Sequence, residues 1–205
     1  MSGFTAIIDY GVGNLFSLKS SLAAIGEEAV VTSDPEVLKE AARVILPGVG
    51  AFADAAKKLR DTGLVELIKE MAQEKPLLGI CLGMQMLFEK SFEYGEHEGL
   101  GLIPGNVVPL EGAISHQLKV PHIGWNKLRV CQKDPLLKDL PDNPYVYYVH
   151  SFCAATHSRY ITGVSEYGID VVGCVRNGNV YGAQFHPEKS GEVGLAILRA
   201  FCSLR

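Results

Sequence analysis

The sequence has no apolar run that approaches the length of a membrane span, so no transmembrane helix is expected. It lacks a basic region ahead of the apolar stretch near Met1 to Gly11, so no signal peptide is expected either. It lacks paired cysteine spacing. Its five cysteines are odd in number and scattered, which excludes a disulfide framework and fits reduced thiols in a cytoplasmic protein. Basic charge is not in excess: 19 Lys and Arg face 23 Asp and Glu, a formal net charge of -4 that argues against a broad nucleic-acid footprint. There is no internal repeat, low-complexity tract or linker. What remains is a 205-residue chain, 47% apolar and 20% charged, which suits a single globular domain over 1–205 with a real core.

The stretch that organises the rest is Pro76 to Gln85. Its first half is a short unbroken apolar run, as in a strand buried on both faces of a parallel sheet. Its second half opens a predicted helix over Leu82 to Lys90. Cys81 stands at the junction with Gly79 two residues before it and Gly83 two after. This is the nucleophile-elbow pattern with cysteine in place of serine. A tight strand-to-helix turn needs small neighbours, because a Cβ would strike the crossing backbone. The turn holds the thiol clear of the sheet at a helix N-terminus, which favours thiolate. A cysteine taken alone is more often a buried, inert thiol; the two glycines favour a nucleophile.

Before this stretch the pattern alternates strand and helix. Strands are predicted at Phe4 to Asp9, Glu28 to Thr32 and Arg43 to Leu46. Helices are predicted at Asn14 to Ile25, at Glu36 to Ala42 behind an Asp34-Pro35 cap, and near Phe52 to Leu59 and Leu64 to Gln73. That alternation is the signature of a parallel, doubly wound sheet, whose ligand lies beyond the carboxyl ends of the strands. After Cys81 the texture changes. Asn106 to Leu110, Gly124 to Val130, Tyr145 to Val149, Tyr160 to Glu166, Val171 to Arg176 and Val180 to Gln184 read as closely spaced strands, with a hairpin at Asn177 to Asn179. A helix over about Gly191 to Ser203 closes the chain. The expected fold is α/β: a mostly parallel sheet flanked by helices, with a more antiparallel second half.

Two further stretches carry chemistry. His186-Pro187-Glu188 ends a strand, and alternation places His186 and Glu188 on one side if the strand persists. A thiol nucleophile needs a base, and the base needs a carboxylate to hold its tautomer. Alone, the tripeptide is more often a surface strand end. Attack on an amide also needs oxyanion donors. The N–H of Leu82 supplies one, and the glycine-rich turn Pro47 to Gly50 offers the N–H of Val49 as a second, although such a turn is commonly a plain connection. Gly11-Val12-Gly13 lacks the third glycine of a dinucleotide fingerprint, since Phe16 stands there. A zinc site from His116, His122 and a cysteine has no metal spacing. No cofactor is expected.

Taken together, Gly79 to Gln85 and His186 to Glu188 resemble the class I (triad) glutamine amidotransferases. Asp9 to Asn14, Pro47 to Phe52, Pro121 to Asn126, Tyr147 to Ser151 and His186 to Ser190 resemble, within them, the glutaminase subunits of imidazole glycerol phosphate synthases, over essentially the whole chain. The resemblance implies that Cys81 attacks the glutamine carboxamide, that His186 moves the proton and that Glu188 orients His186. It implies glutamine contacts at Gly50, Gln85 and Glu93 and at the backbone of Ser151 and Phe152. It also implies a (β/α)8-barrel cyclase partner that takes the ammonia and forms imidazole glycerol phosphate and AICAR, with Asn14, Trp125 and Lys189 at the contact. Two alternatives stand beside it: a glutaminase subunit serving anthranilate or pyridoxal phosphate synthesis, and a non-catalytic regulatory protein on the same fold.

Overall fold

A computed structural model of the chain describes residues 3–204. In chain order the first half runs Thr5–Ile8 (β1), Leu15–Ala24 (α1), Ala29–Thr32 (β2), Pro35–Glu40 (α2), Arg43–Leu46 (β3), Phe52–Asp61 (α3), Val65–Glu74 (α4), Leu77–Ile80 (β4) and Leu82–Met86 (α5). The second half runs Phe88–Ser91 (β5), His97–Glu98 (β6), Ile103–Pro109 (β7), His122–Lys127 (β8), Arg129–Val130 (β9), Tyr145–His150 (β10), Phe152–Ala155 (β11), Ile161–Glu166 (β12), Asp170–Asn177 (β13), Val180–Ala183 (β14) and Gly191–Cys202 (α6).

The main sheet has the order β2-β1-β3-β4-β14-β13-β12-β9. Its first five strands are parallel neighbours and the last three pair antiparallel. This is the expected α/β architecture with an antiparallel extension. Two smaller sheets, β10-β8 and β11-β7-β5-β6, pack beside it.

The short apolar strands serve two cores at once. Ala6, Ile8, Val44, Leu46 and Leu77 face a core shared with α3 and α4 through Leu59, Ile68 and Met71. Ile7, Ile45, Leu78 and Ile80 face the opposite core, with Leu18 and Leu22 of α1 and Ile197, Leu198 and Phe201 of α6. The two-residue period of a strand therefore feeds alternate side chains to opposite layers, and both must be apolar. α1 is capped by the Asn14 side chain, which accepts from the Ser17 N–H, and α2 by Asp34, which accepts from the Glu36 N–H at 2.9 Å.

One expected element is corrected. The helix predicted over Leu82 to Lys90 stops at Met86, and Phe88–Ser91 is a strand pairing with β7 and β6. The Leu87 N–H closes a tight last turn on Met84 O, while the Leu87 carbonyl already accepts from Leu102 and Ile103. Ladder bonds to a distant segment thus outweigh the local preference of Phe-Glu-Lys. Among the described residues no helix is long and apolar enough to cross a membrane.

Candidate active site

Cys81 sits at the carboxyl end of β4, in the middle of the parallel sheet. Its N–H donates to Ala183 O at 2.7 Å, extending the pairing with β14 by one residue. Its backbone then turns sharply, with φ 54° and ψ -114°. A non-glycine residue held there carries strain of about 1–3 kcal/mol. The flanking glycines explain how the turn is packed. A Cβ on Gly83 would lie 1.9 Å from Leu46 O, and one on Gly79 would lie 2.7 Å from Gly83 O. The start of α5 therefore packs directly against the end of β3 at Gly83 and against β4 at Gly79, and a side chain at either position would push the helix off its strand. Gly48 is held the same way, since its Cβ would lie 2.5 Å from the Gly83 N. The Pro47 to Gly50 turn is thereby pressed against α5, the helix that follows Cys81.

His186 follows the carboxyl end of β14, the parallel neighbour of β4. The strand ends at Ala183, Phe185 is fully buried, and the His186 N–H donates to Tyr147 O at 2.9 Å. The backbone does not continue as a strand, as the alternation argument assumed. Pro187–Lys189 forms a 3-10 turn instead, because Pro187 cannot donate to a ladder and is well placed in a first helical turn. Ser190 ties this turn down: its Oγ donates to His186 O at 2.6 Å and accepts from the Tyr147 N–H at 3.0 Å. Within the turn His186 Nδ1 donates to Glu188 Oε1 at 2.8 Å, with both side chains 3% exposed. Nε2 is left to face Cys81. Burial opposes charge on His186, but hydrogen bonding to Cys81 and Glu188, together with their negative charges, outweighs it and raises the pKa to about 9.

A cavity of about 320 Å³ opens on the Cys81–His186 pair. Val49, Gly50, Leu82, Gln85, Glu93, Ser151 and Phe152 all line it, so the structure brings together every residue named from the sequence for the oxyanion and glutamine contacts. Glu188 stands behind His186. Glu93 also does something not anticipated: its Oε2 accepts the Phe52 N–H at 2.5 Å, at the start of α3, which ties its loop to the end of the Gly50 turn. The other end of that turn is tied by the Tyr10 hydroxyl, which donates to Pro47 O at 2.6 Å. Between these tethers lies Gly50, with φ 88° in the left-handed region.

Sequence reasoning passed over Gln184 and His150. Gln184 is fully buried; its Nε2 points at Cys81 Sγ from 3.9 Å and its Oε1 accepts from Gln85 Nε2 at 3.1 Å. His150 lines the cavity and donates through Nδ1 to Phe152 O at 2.8 Å. The signal available for both was a polar residue in an otherwise buried strand context, which a period-two reading treats as noise.

Asn14, Trp125 and Lys189 do not line the cavity. Trp125 is 55% exposed and packs edge-on to Tyr147, and Lys189 Nζ lies 5.9 Å above the same ring. Trp125 and Lys189 thus meet around Tyr147, beside the turn that carries His186 and Glu188. Asn14 caps α1, and α1 packs against that turn.

Comparison with known proteins agrees with this geometry. The family model described as "Glutamine amidotransferase class-I" matches residues 6–203. The chain is 52% identical over 197 residues to a protein of Bacillus cereus (strain G9842) named "Imidazole glycerol phosphate synthase subunit HisH", covering 96% of this chain and 92% of that one. It is 47% identical over 201 residues to the protein of the same name from Wolinella succinogenes, covering 97% and 98%. Among solved structures, "Structure of PurLQS from Thermotoga maritima" superposes with a TM-score of 0.75 at 20% identity, covering 98% of each chain, which speaks for the fold alone.

Proposed function

This chain belongs to the class-I glutamine amidotransferase family, and from that premise we propose that it is the glutamine-hydrolysing subunit of an imidazole glycerol phosphate synthase. The observation that carries the chemistry is the Cys81–His186–Glu188 constellation, on a strained elbow, opening on a cavity of amino-acid size. Near 50% identity over almost the whole chain to HisH subunits supports the branch over anthranilate or pyridoxal phosphate synthesis.

In this reading glutamine enters with its carboxamide against Cys81. Cys81 Sγ attacks the carboxamide carbon, and the Val49 and Leu82 N–H groups receive the oxyanion. His186 holds the thiol proton and passes it to the departing ammonia; Glu188 keeps Nδ1 protonated so that Nε2 does this work. Water, activated by the same imidazole, then hydrolyses the glutamyl thioester to glutamate. Gly50, Gln85, Glu93 and the backbone of Ser151 and Phe152 hold the amino acid. Ammonia protonates readily at neutral pH and then ceases to be a nucleophile, so its use requires a sheltered passage. A (β/α)8-barrel cyclase docked on the face of Asn14, Trp125 and Lys189 supplies the acceptor and forms imidazole glycerol phosphate and AICAR.

The test is glutamate release by the chain alone and with its barrel cyclase, together with imidazole glycerol phosphate formation from glutamine. Release coupled to product formation supports the assignment. Release coupled only to an anthranilate or pyridoxal phosphate synthase partner would move the chain to another branch, and no release with any partner would favour a regulatory role.

A further inference from the structure

Behind the cavity lies a chain of polar side chains that the mechanism above does not use. His150 Nδ1 lies 2.8 Å from Phe152 O, and His122 Nδ1 lies 3.0 Å from His150 Nε2. Asn126 Nδ2 lies 3.3 Å from His122 Nε2 and 2.9 Å from Glu166 O, and Asn126 Oδ1 accepts the Lys127 N–H at 2.8 Å. Both histidines are buried, and the His122 ring is sandwiched between Tyr148 and Tyr167 at 4.6 and 4.1 Å.

The two ends of this chain fix every proton in it. Phe152 O can only accept, so His150 must carry its proton on Nδ1 and present a bare Nε2. The Asn126 amide is oriented by a backbone carbonyl on one side and a backbone N–H on the other. Its remaining N–H therefore points at His122, whose Nε2 must be bare and whose Nδ1 must be protonated. That N–H is the donor His150 Nε2 requires. The hydrogen bonds run one way, Asn126 to His122 to His150 to Phe152 O, with both rings neutral. Burial agrees, pushing each histidine down to about 4. Neutrality also spares His186, whose positive charge faces His150.

Phe152 O receives a second donor, Gln85 Nε2, at 3.1 Å. Two donors fill the two lone pairs of a carbonyl, so this oxygen is an anchor and takes nothing from a ligand. In an extended residue the N–H and C=O lie on the same edge of the strand. Anchoring the carbonyl on the cavity side therefore turns the Phe152 N–H to that side as well, where it meets an amino-acid carboxylate.

We propose that His150, supported by His122 and Asn126, is a positioning residue that fixes the Phe152 peptide for recognition of the substrate's carboxylate, through a chain of neutral rings whose single tautomer is set at Asn126, next to Trp125. The inference rests on the glutaminase reading for its substrate but not for its tautomers. The first measurement is nitrogen-15 NMR of the imidazoles in the whole free chain at neutral pH. Both rings should be neutral with hydrogen on Nδ1. Hydrogen on Nε2 of either ring, or an imidazolium, overturns the proposal whatever the chain's activity. In Asn126→Asp a carboxylate replaces the donor, so His122 Nε2 should gain a proton; an unchanged His122 signal refutes the role of Asn126. The second measurement is glutamine turnover in the partner complex. His150→Asn keeps a donor near the Nδ1 position and His150→Gln does not. The Gln variant should raise KM about tenfold, as losing one hydrogen bond does, while the Asn variant stays within about threefold and kcat moves less than KM. Equal KM in both variants, or a loss confined to kcat, refutes the positioning role. Wild-type complex that releases no glutamate refutes the glutaminase reading instead, and the NMR result still decides the chain.

Discussion

Replacing Glu188 with Gln tests the site most directly, because its main effect is a displaced pH limb. The carboxylate accepts from His186 Nδ1 at 2.8 Å with both side chains buried. A hydrogen bond to a charged group of this kind contributes about 1.5–3 kcal/mol. At about 1.36 kcal/mol per pKa unit, its loss lowers the His186 pKa by roughly one to two units. The starting value is about 9, held up by Cys81 and Glu188 against burial. The ammonia leaving group needs the proton on His186, so kcat/KM for glutamine should fall as pH rises through about 9 in the wild type. In Glu188→Gln the same limb should appear about one to two units lower, near neutrality. The rate at its own optimum should fall about 10²-fold, against about 10⁴-fold for His186→Ala, which loses the base itself. The stability linkage has a definite sign. A histidine whose folded pKa is raised stabilises the fold fully below its unfolded value of about 6.5 and loses that contribution as pH rises through its folded value. Denaturation of the wild type should therefore show stability falling between about pH 6.5 and 9, and Glu188→Gln should confine the loss to a narrower interval. The assay is glutamate release by the partner complex across pH, with ammonium-driven cyclase turnover as the control for an intact complex. A basic limb that stays near 9 in Glu188→Gln would show that the carboxylate does not set the His186 proton.

Cys81→Ala should abolish glutaminase activity with the fold intact by circular dichroism, and a glutamine-like electrophile should label Cys81. Burial pushes Cys153 and Cys202 up to about 11 and Cys174 well above its ordinary value, so these three should stay unlabelled; equal labelling of all five cysteines defeats the assignment. Gly83→Ala places a Cβ 1.9 Å from Leu46 O, which neither backbone can yield cheaply, so it should lower the melting temperature by several degrees and cut activity together; an unchanged melting point refutes the packing argument. The chain alone should be a poor glutaminase that its partner switches on. The Gly48–Val49 peptide, which carries the Val49 N–H, lies between two tethered ends, at Tyr10 and Glu93, and can turn that N–H away from the site, which costs about 10²–10³ in turnover when one oxyanion donor is missing. Glutamate release should rise from free chain to complex to complex with the ribotide ligand, and equal rates in all three reject the switch.

The parallel half of the fold was legible because its strands are buried on both faces. β1, β3 and β4 are buried along their whole length and apolar apart from Thr5 and Arg43 at the starts of the first two, and the helices between them carry a helical period. The small sheet was not legible. Phe88–Ser91 and His97–Glu98 are short and largely polar, and the pairing of Phe88–Ser91 with both His97–Glu98 and Ile103–Pro109 follows from tertiary contacts that no local window contains. In the site, Cys81, His186 and Glu188 announced themselves by residue type and by the flanking glycine and proline. Gly50, Gln85, Glu93, Ser151 and Phe152 carry no such mark; only the resemblance of whole stretches named them. Gln184 had neither; Tyr10, His122 and His150 lie inside stretches that carry the resemblance but drew no role from it, since a polar side chain looks the same in sequence whether it points into a site or at solvent.

The His-Pro-Glu stretch shows why a correct contact can be reached through the wrong backbone. Strand alternation puts residues two apart on one face, and that argument pairs His186 with Glu188. The chain leaves the strand before His186 and folds Pro187–Lys189 into a 3-10 turn, which also brings the two side chains within hydrogen-bond reach. The difference matters for function. A strand would leave the pair held by a ladder that Pro187 cannot complete. The turn is held instead by Ser190, which bonds His186 O and the Tyr147 N–H, and Tyr147 in turn packs against Trp125 and Lys189. The backbone that aims the base is thereby joined to the exposed face proposed for the partner. Under that proposal, docking at Trp125 and Lys189 would bear on His186 through two residues, Tyr147 and Ser190, a coupling that an uninterrupted strand would not provide.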